Sequence, residues 1–341
     1  MTLTVDFGPN DIVKQIEKTG IKGQHLIFID DYSSTELENI FKTAEMLEPF
    51  WRNRIPLLEG KILCTQFFQP STRTRFSHET AMFRLGGNVI TESNPLVSSA
   101  AAKGESLYDS LRVTSQYADV IVLRHPDEGV IDTIEQLGSD ASPIISGGYG
   151  NVTHPTQGLL DMYTAYRALG GDFKEMTVMI ATPDLSRARS GQSFGLGLAR
   201  MGSKLIYSGT TGLGVPPVIR AKLKSMNANF TEVNDLTIGQ HEEMLADEGV
   251  DLLYLPGCSV KKGDPGRDDF LKKMAEFYFT LEGLQKIKQK SGKTVGLMHS
   301  LPRNEGEFDF AIDASEHELY FKQIGFSVPL RMSLLANICG V

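Results

Sequence analysis

The sequence predicts an α/β protein made of two doubly wound domains, each a parallel sheet flanked by helices, joined by interdomain helices. Short β-branched or apolar runs alternate with helical patterns through most of the 341 residues, as expected of parallel strands covered on both faces. About ten of these runs have strand character, which is more than one sheet comfortably holds. A glycine-rich stretch at 147–151 then breaks the alternation near the middle of the chain.

Taken in order, roughly the first 20 residues read as an extension ahead of the first strand. Predicted strands of the first half are 26–29, 61–68, 88–91, 120–124 and 143–146. Those of the second half are 177–182, 204–208, 229–233, 251–255 and 294–298. Helical patterns fall between them at 33–47, 106–117 and 156–169. In the last, Leu159, Met162, Tyr163, Tyr166 and Leu169 keep the spacing of a single buried face. The glycine stretch marks the domain boundary, and a helix starting near His154 bridges the halves, with a cleft expected between them.

A net charge of −8 excludes a general nucleic-acid binder but allows a local basic pocket. Cys64, Cys258 and Cys339 are odd in number and widely spaced, fitting neither a disulfide framework nor a zinc site. Cys64 lies inside an apolar run and reads as a small core residue. No apolar run is long enough to span a bilayer and the first residues are not a secretory leader, so a soluble protein of the cytoplasm, without membrane partners, is expected.

The most informative stretch is 67–76, Phe-Phe-Gln-Pro-Ser-Thr-Arg-Thr-Arg-Phe. It follows a buried strand and precedes an amphipathic helix predicted over 76–85, so Ser71, Thr72, Arg73, Thr74 and Arg75 occupy a strand-to-helix turn. Free N–H groups and the positive end of the helix dipole meet there, and arginine forks suit a phosphate dianion. A capping serine beside solvated arginines is the plainer alternative.

Further loops follow other strands. Ser98, Ser99, Lys103 and Gly104 form a small-residue loop with a single cation, which a solvated lysine also explains. Arg124, His125 and Pro126 close an apolar strand, at the end where open α/β sheets bind ligands. His154-Pro155-Thr156-Gln157 opens the bridging helix, with Pro155 suited to the first turn. Asp184, Arg187 and Arg189, and later His299-Ser300-Leu301-Pro302-Arg303, place arginines where a carboxylate-bearing substrate can be held. Each has a structural alternative, an ion-paired arginine or a core histidine, but their joint occurrence favours a binding site.

In this order the motifs resemble the carbamoyltransferases, most closely aspartate carbamoyltransferase catalytic chains, from about residue 24 to the end. The resemblance implies a carbamoyl-phosphate domain at 1–152, to which a helix at 325–341 returns, and an amino-acid domain at 153–324. It implies that Ser71, Thr72, Arg73 and Thr74 bind the phosphate of carbamoyl phosphate. Thr74, Arg124 and His154 would polarise its carbonyl, while Gln157 and the backbone of Leu301 hold the carbamoyl amide. Ser99 and Lys103 would reach into a neighbour's site, which implies a homotrimer; a regulatory subunit is left open. Arg189 would take the acceptor's α-carboxylate, alongside Lys103, Leu301 and Pro302, with the Leu301–Pro302 peptide cis. The implied reaction is carbamoylation of L-aspartate in pyrimidine biosynthesis and needs no metal or cofactor.

The acceptor loop departs from this pattern. Where the family places an arginine and a glutamine after the strand at 251–255, this chain has Gly257 and Ser259, and Ser300 stands where proline is usual. Lys261, Lys262 or Arg267 can supply charge there, without the same bidentate geometry. Acceptors other than aspartate, and a non-catalytic carbamoyl-phosphate binder, therefore stay open. A dinucleotide enzyme is disfavoured, because no strand runs into Gly-x-Gly-x-x-Gly and no Gly-x-x-x-x-Gly-Lys-Ser/Thr loop exists.

Overall fold

Apolar runs separated by helical patterns do form parallel strands. The structure, a computed structural model, describes residues 8–98, 100–257, 267–304 and 306–341. The chain divides into two compact units, one running to Thr156 and taking back Gly325–Val341, the other spanning Gln157–Ile324.

The first unit holds β1 (Ile62–Phe67), β2 (Asn88–Glu92), β3 (Val120–His125) and β4 (Ile144–Tyr149), all parallel in the order β2-β1-β3-β4. β1 and β3 are buried almost end to end, as central strands covered on both faces must be; of the two edge strands β4, bridged by Leu26, is buried as well, whereas β2 is largely exposed. Cys64, Ile121, Leu123, Ile144 and Tyr149 share one core cluster, so Cys64 is the small core residue expected.

The second unit holds β5 (Thr177–Ala181), β6 (Lys204–Gly209), β7 (Phe230–Asn234), β8 (Leu252–Leu255) and β9 (Gly296–His299), parallel in the order β7-β6-β5-β8-β9. Met179, Leu253, Leu297, Phe279, Phe308 and Tyr320 belong to its main core cluster. Gly195 lets the helix Arg189–Met201 pack onto the sheet, because a Cβ there would lie 1.9 Å from the Tyr207 hydroxyl.

Several expectations need correction. Residues 26–29 are not a strand: Leu26 makes one isolated bridge to Ile145, and the chain then turns into the 3-10 segment Ile29–Asp31. There the Phe28 N–H donates to the Asp31 carboxylate at 2.8 Å, ending the extended run. The N-terminal extension carries a helix, Pro9–Thr19, whose Ile12 and Ile16 are buried in the unit that ends at Thr156. The helix expected from Phe76 starts four residues earlier, as Thr72–Arg84, so Thr72 to Arg75 form its first turn. Residues 147–149, expected at the domain boundary, are the end of β4, and the chain divides after Thr156. In the helix Pro155–Leu169, Leu159, Met162 and Tyr163 are fully buried, but Tyr166 is half-buried and Leu169 exposed, since the last turn runs into solvent.

Candidate active site

In the first unit the pleat itself gathers a site. β1 and β3 are adjacent, with Phe67 in register with Arg124, and the Phe68 N–H donates to the Arg124 carbonyl at 2.9 Å. The elbow leaving β1 and the side chains ending β3 therefore share the carboxyl edge of the sheet. Ser71 is the N-cap of the helix Thr72–Arg84, with extended backbone (φ −159°, ψ 92°), yet its hydroxyl caps no backbone N–H of that helix. The plainer alternative of a capping serine is thus not what this turn adopts. Thr72 and Arg73 are exposed, Ser71 and Arg75 half-buried and Thr74 buried.

The two arginines of the elbow differ. Arg73 makes no ion pair with the described residues, and partial burial lowers its pKa from the ordinary arginine value while leaving it cationic. Arg75 is turned away: its Nε lies 3.8 Å from Glu79 and its guanidinium 5.1 Å from the Phe76 ring centroid. Glu79 in turn accepts from Thr65 at 2.8 Å and from Thr91, which fastens Arg75 to the sheet. Beneath the elbow, the Thr74 carbonyl is bound by Ser77 Oγ at 3.1 Å and by the ring of buried His78, Nδ1 at 2.8 Å. Burial, then the Arg331 charge, hold His78 well below the ordinary histidine pKa, so it donates as a neutral ring.

Arg124 is buried and its Nη1 donates to the Gly147 carbonyl at 2.7 Å. The same Nη1 lies 3.4 Å from His154 Nε2. His154 Nδ1 lies 3.3 Å from Thr156 Oγ1, which spends its own proton on the Ser146 carbonyl at 3.2 Å. Thr156 therefore accepts from His154, which puts the imidazole proton on Nδ1 and turns the Nε2 lone pair toward Arg124. Gly148 makes the approach possible: its φ is +112°, and a Cβ would lie 3.0 Å from Arg124 Nη1 and 3.3 Å from His154 Cδ2. Gly147 and Gly148 were missed as candidate site residues, and Thr156 was singled out only as part of the motif that opens the helix. The available signal was a glycine pair ending an apolar strand, where a domain boundary was expected instead. Lys103 sits exposed on the 3-10 segment Ala100–Lys103, and Ser99 lies outside the described residues.

Gln157, Arg189, Leu301 and Pro302 belong to the second unit. Gln157 Nε2 donates to buried Asp161 at 2.7 Å, which fixes the amide and leaves Oε1 as its acceptor end. Asp161 also accepts from Gln323. Arg189 opens the helix Arg189–Met201, half-buried, with its pKa lowered by burial. Asp184 is tied to Ser186 N–H at 3.0 Å, and exposed Arg187 lies 3.6 Å from it.

At the end of β9 the Leu301–Pro302 peptide is cis, and Leu301 holds a left-handed φ of +51°. The Leu301 N–H donates to His299 Nδ1 at 3.0 Å, so His299 carries its proton on Nε2, 3.2 Å from Glu307. Burial alone would raise the Glu307 carboxyl, but the nearby His299 ring and hydrogen bonds from Asn304 outweigh it and lower the pKa. Arg303 is not available to a substrate. It forms a bidentate pair with Asp313 and lies 4.0 Å from the Phe310 ring centroid, in an aromatic cage with Phe321 and Tyr320. Cys258, Ser259, Lys261 and Lys262 fall outside the described residues, while Arg267 begins the helix Arg267–Met274.

An elbow with an arginine unpaired among the described residues, beside a buried arginine–histidine pair on a parallel α/β sheet, has the chemistry to hold a phosphorylated donor and polarise its carbonyl. The model of the aspartate/ornithine carbamoyltransferase carbamoyl-P binding domain matches residues 24–167. A ureidoglycine carbamoyltransferase of Rubrobacter xylanophilus is 44% identical over 326 residues, 95% of this chain and 94% of its own. An aspartate carbamoyltransferase catalytic subunit of Methanocaldococcus jannaschii is 38% identical over 92% of this chain and 97% of its own. The solved catalytic subunit of M. jannaschii aspartate transcarbamoylase superimposes with a TM-score of 0.77 at 36% identity, covering 93% of this chain and 99% of that one. The chain belongs to the aspartate/ornithine carbamoyltransferase family and is a carbamoyltransferase.

Proposed function

We propose that this enzyme moves the carbamoyl group of carbamoyl phosphate to the α-amine of a small amino acid, with ureidoglycine ahead of L-aspartate as acceptor. The placement of Arg124 Nη1 against the Gly147 carbonyl and His154, at the strand edge that also carries the elbow, supports the transfer most directly. The 44% identity to a ureidoglycine carbamoyltransferase, and Gly257 where an arginine is expected, favour that acceptor. Aspartate remains the second reading because relatives named for it reach 38% identity; its product, N-carbamoyl-L-aspartate, would serve pyrimidine biosynthesis.

On this proposal the unit ending at Thr156 binds the donor and Gln157–Ile324 binds the acceptor. Arg73, with the first-turn N–H groups of Thr72 and Thr74 and a neighbouring subunit's Lys103 and Ser99 in a trimer, neutralises the phosphate. The acceptor's neutral amine forms a bond to the carbonyl carbon, and negative charge grows on the carbonyl oxygen. Arg124 and Thr74 face that charge as preorganised donors. The carbon–oxygen bond to phosphate then breaks, its electron pair leaves with phosphate, and phosphate accepts the amine proton. His154, protonated on Nδ1, serves by orienting Arg124; donating to the carbonyl as well would require a second proton on Nε2.

Arg73→Ala should abolish carbamoyl-phosphate binding in calorimetry with an unchanged circular dichroism spectrum; near-normal turnover would remove the phosphate assignment. Arg124→Ala should lower kcat on the order of 100-fold or more with a smaller change in donor affinity. Equal effects on both would deny it the oxyanion role. Absence of ureido product across a panel of amines would overturn carbamoyl transfer itself.

A further inference from the structure

Asp161 is the single acidic residue of the helix Pro155–Leu169, and it is fully buried. A carboxylate is costly to desolvate unless hydrogen bonds compensate it. Two side-chain amides meet its Oδ1. Gln157 Nε2 donates at 2.7 Å from one turn earlier on the same helix, and Gln323 Nε2 donates from the helix Tyr320–Gly325. Tyr254 of β8 faces the same charge: burial, then Asp161, hold it well above the ordinary tyrosine pKa, so it stands as a neutral hydroxyl. The helix has no room to shift. A Cβ at Gly158 would lie 2.9 Å from the Ser193 carbonyl carbon, so the turn between Gln157 and Asp161 is pressed onto the helix Arg189–Met201.

This packing decides which end of the Gln157 amide meets a ligand. Turned over, the amide would set Oε1 against Asp161 Oδ1 at hydrogen-bond distance, two acceptors facing each other. Nε2 is therefore spent on Asp161, and half-buried Gln157 keeps Oε1 for a ligand. A substrate N–H satisfies an acceptor held in this way, whereas a methyl group leaves it desolvated and unpaired. Carbamoyl phosphate and acetyl phosphate differ in that one group, an NH2 against a CH3 of similar size.

We infer that Asp161 is a positioning residue that fixes the sense of the Gln157 amide and thereby selects a carbamoyl over an acyl phosphate as the group donor. This rests on the carbamoyl transfer proposed above, with Gln157 on the carbamoyl amide as the family resemblance implies. It adds the residue that sets the amide and the class of donor that the amide turns away.

The test compares kcat/KM for carbamoyl phosphate and acetyl phosphate in the full-length enzyme, with the amine that yields most ureido product. Wild type should prefer carbamoyl phosphate on the order of 100-fold. Gln157→Met keeps bulk but no acceptor, and should lower that ratio about 10-fold or more, almost wholly through carbamoyl phosphate. Asp161→Leu, similar in shape but unable to accept, should do the same. Asp161→Asn keeps an acceptor oxygen for both amides and should hold the ratio within about threefold of wild type. In a Gln157→Met background, Asp161→Leu should leave the ratio unmoved, because a positioning residue acts through the residue it positions. A merely structural Asp161 would depress both donors alike in Asp161→Leu, and that result overturns the inference. So does an unchanged ratio in Gln157→Met, or comparable use of both donors by the wild type. In each of these cases ureido product still forms, so carbamoyl transfer itself would stand.

Discussion

At the level of single residues, chemistry here depends as much on what lacks a side chain as on what carries one. Gly148 combines a backbone that L side chains rarely adopt with contact distances to both Arg124 and His154. Gly148→Ala should therefore strain the end of β4 and push the Arg124–His154 pair apart. A loss of about 1–3 kcal/mol in stability is expected, together with a fall in kcat that exceeds any change in carbamoyl-phosphate affinity. Denaturant titration and steady-state kinetics on one preparation check both, and a stable variant with unaltered kcat would remove Gly148 from the site. The positions of Arg124, His154 and the elbow at element ends were legible, because charge and hydroxyl groups there stand out in a sequence. Gly147 and Gly148 were not, since a glycine pair has the same letters whether it ends a strand beneath an arginine or links two domains. The same ambiguity hid the fates of Arg75 and Arg303, whose partners Glu79 and Asp313 are fixed only by packing.

At the level of elements, alternation of apolar runs and helical patterns revealed every strand of both sheets, because central parallel strands must be apolar on both faces. It erred where local hydrogen bonding outweighed hydrophobicity, as at Asp31, and where a helix began before its apolar face did, as at Thr72. The helix Ile238–Asp247 shows how an element carries a pH dependence. It buries His241, whose Nδ1 donates to the Thr237 carbonyl at 3.1 Å and whose Nε2 accepts from Ser208 of β6 at 2.7 Å. Burial, partly opposed by the Thr237 carbonyl and Glu276, lowers its pKa from 6.5 to about 4. The folded protein thus resists a proton that the unfolded chain takes up below pH 6.5. Stability from this group is complete above that pH and falls as pH drops toward 4, by roughly 3 kcal/mol in all. In His241→Gln the slope of unfolding free energy against pH should be smaller by about one proton across that window. An identical slope in variant and wild type would place the acid sensitivity elsewhere.

For the molecule as a whole, two units with separate sheets and cores make ligand binding a local stabiliser. If the elbow at Ser71–Thr74 is where the donor phosphate binds, carbamoyl phosphate interacts with folded β1, β3 and the helix Thr72–Arg84 and not with their unfolded forms. At about 100 times its dissociation constant it should then add roughly 2.7 kcal/mol to the opening energy of those elements. Hydrogen exchange followed by mass spectrometry reads this directly. Slowing on the order of 100-fold is expected in peptides covering 62–84 and 120–125. Peptides from β6 and β7, at one edge of the other sheet and in the unit without the elbow, should change far less. The same measurement on Arg73→Ala should show no slowing, because the cation facing the phosphate is gone while the fold is kept. Equal protection of both units, or protection surviving in Arg73→Ala, would mean that the donor binds somewhere other than this elbow.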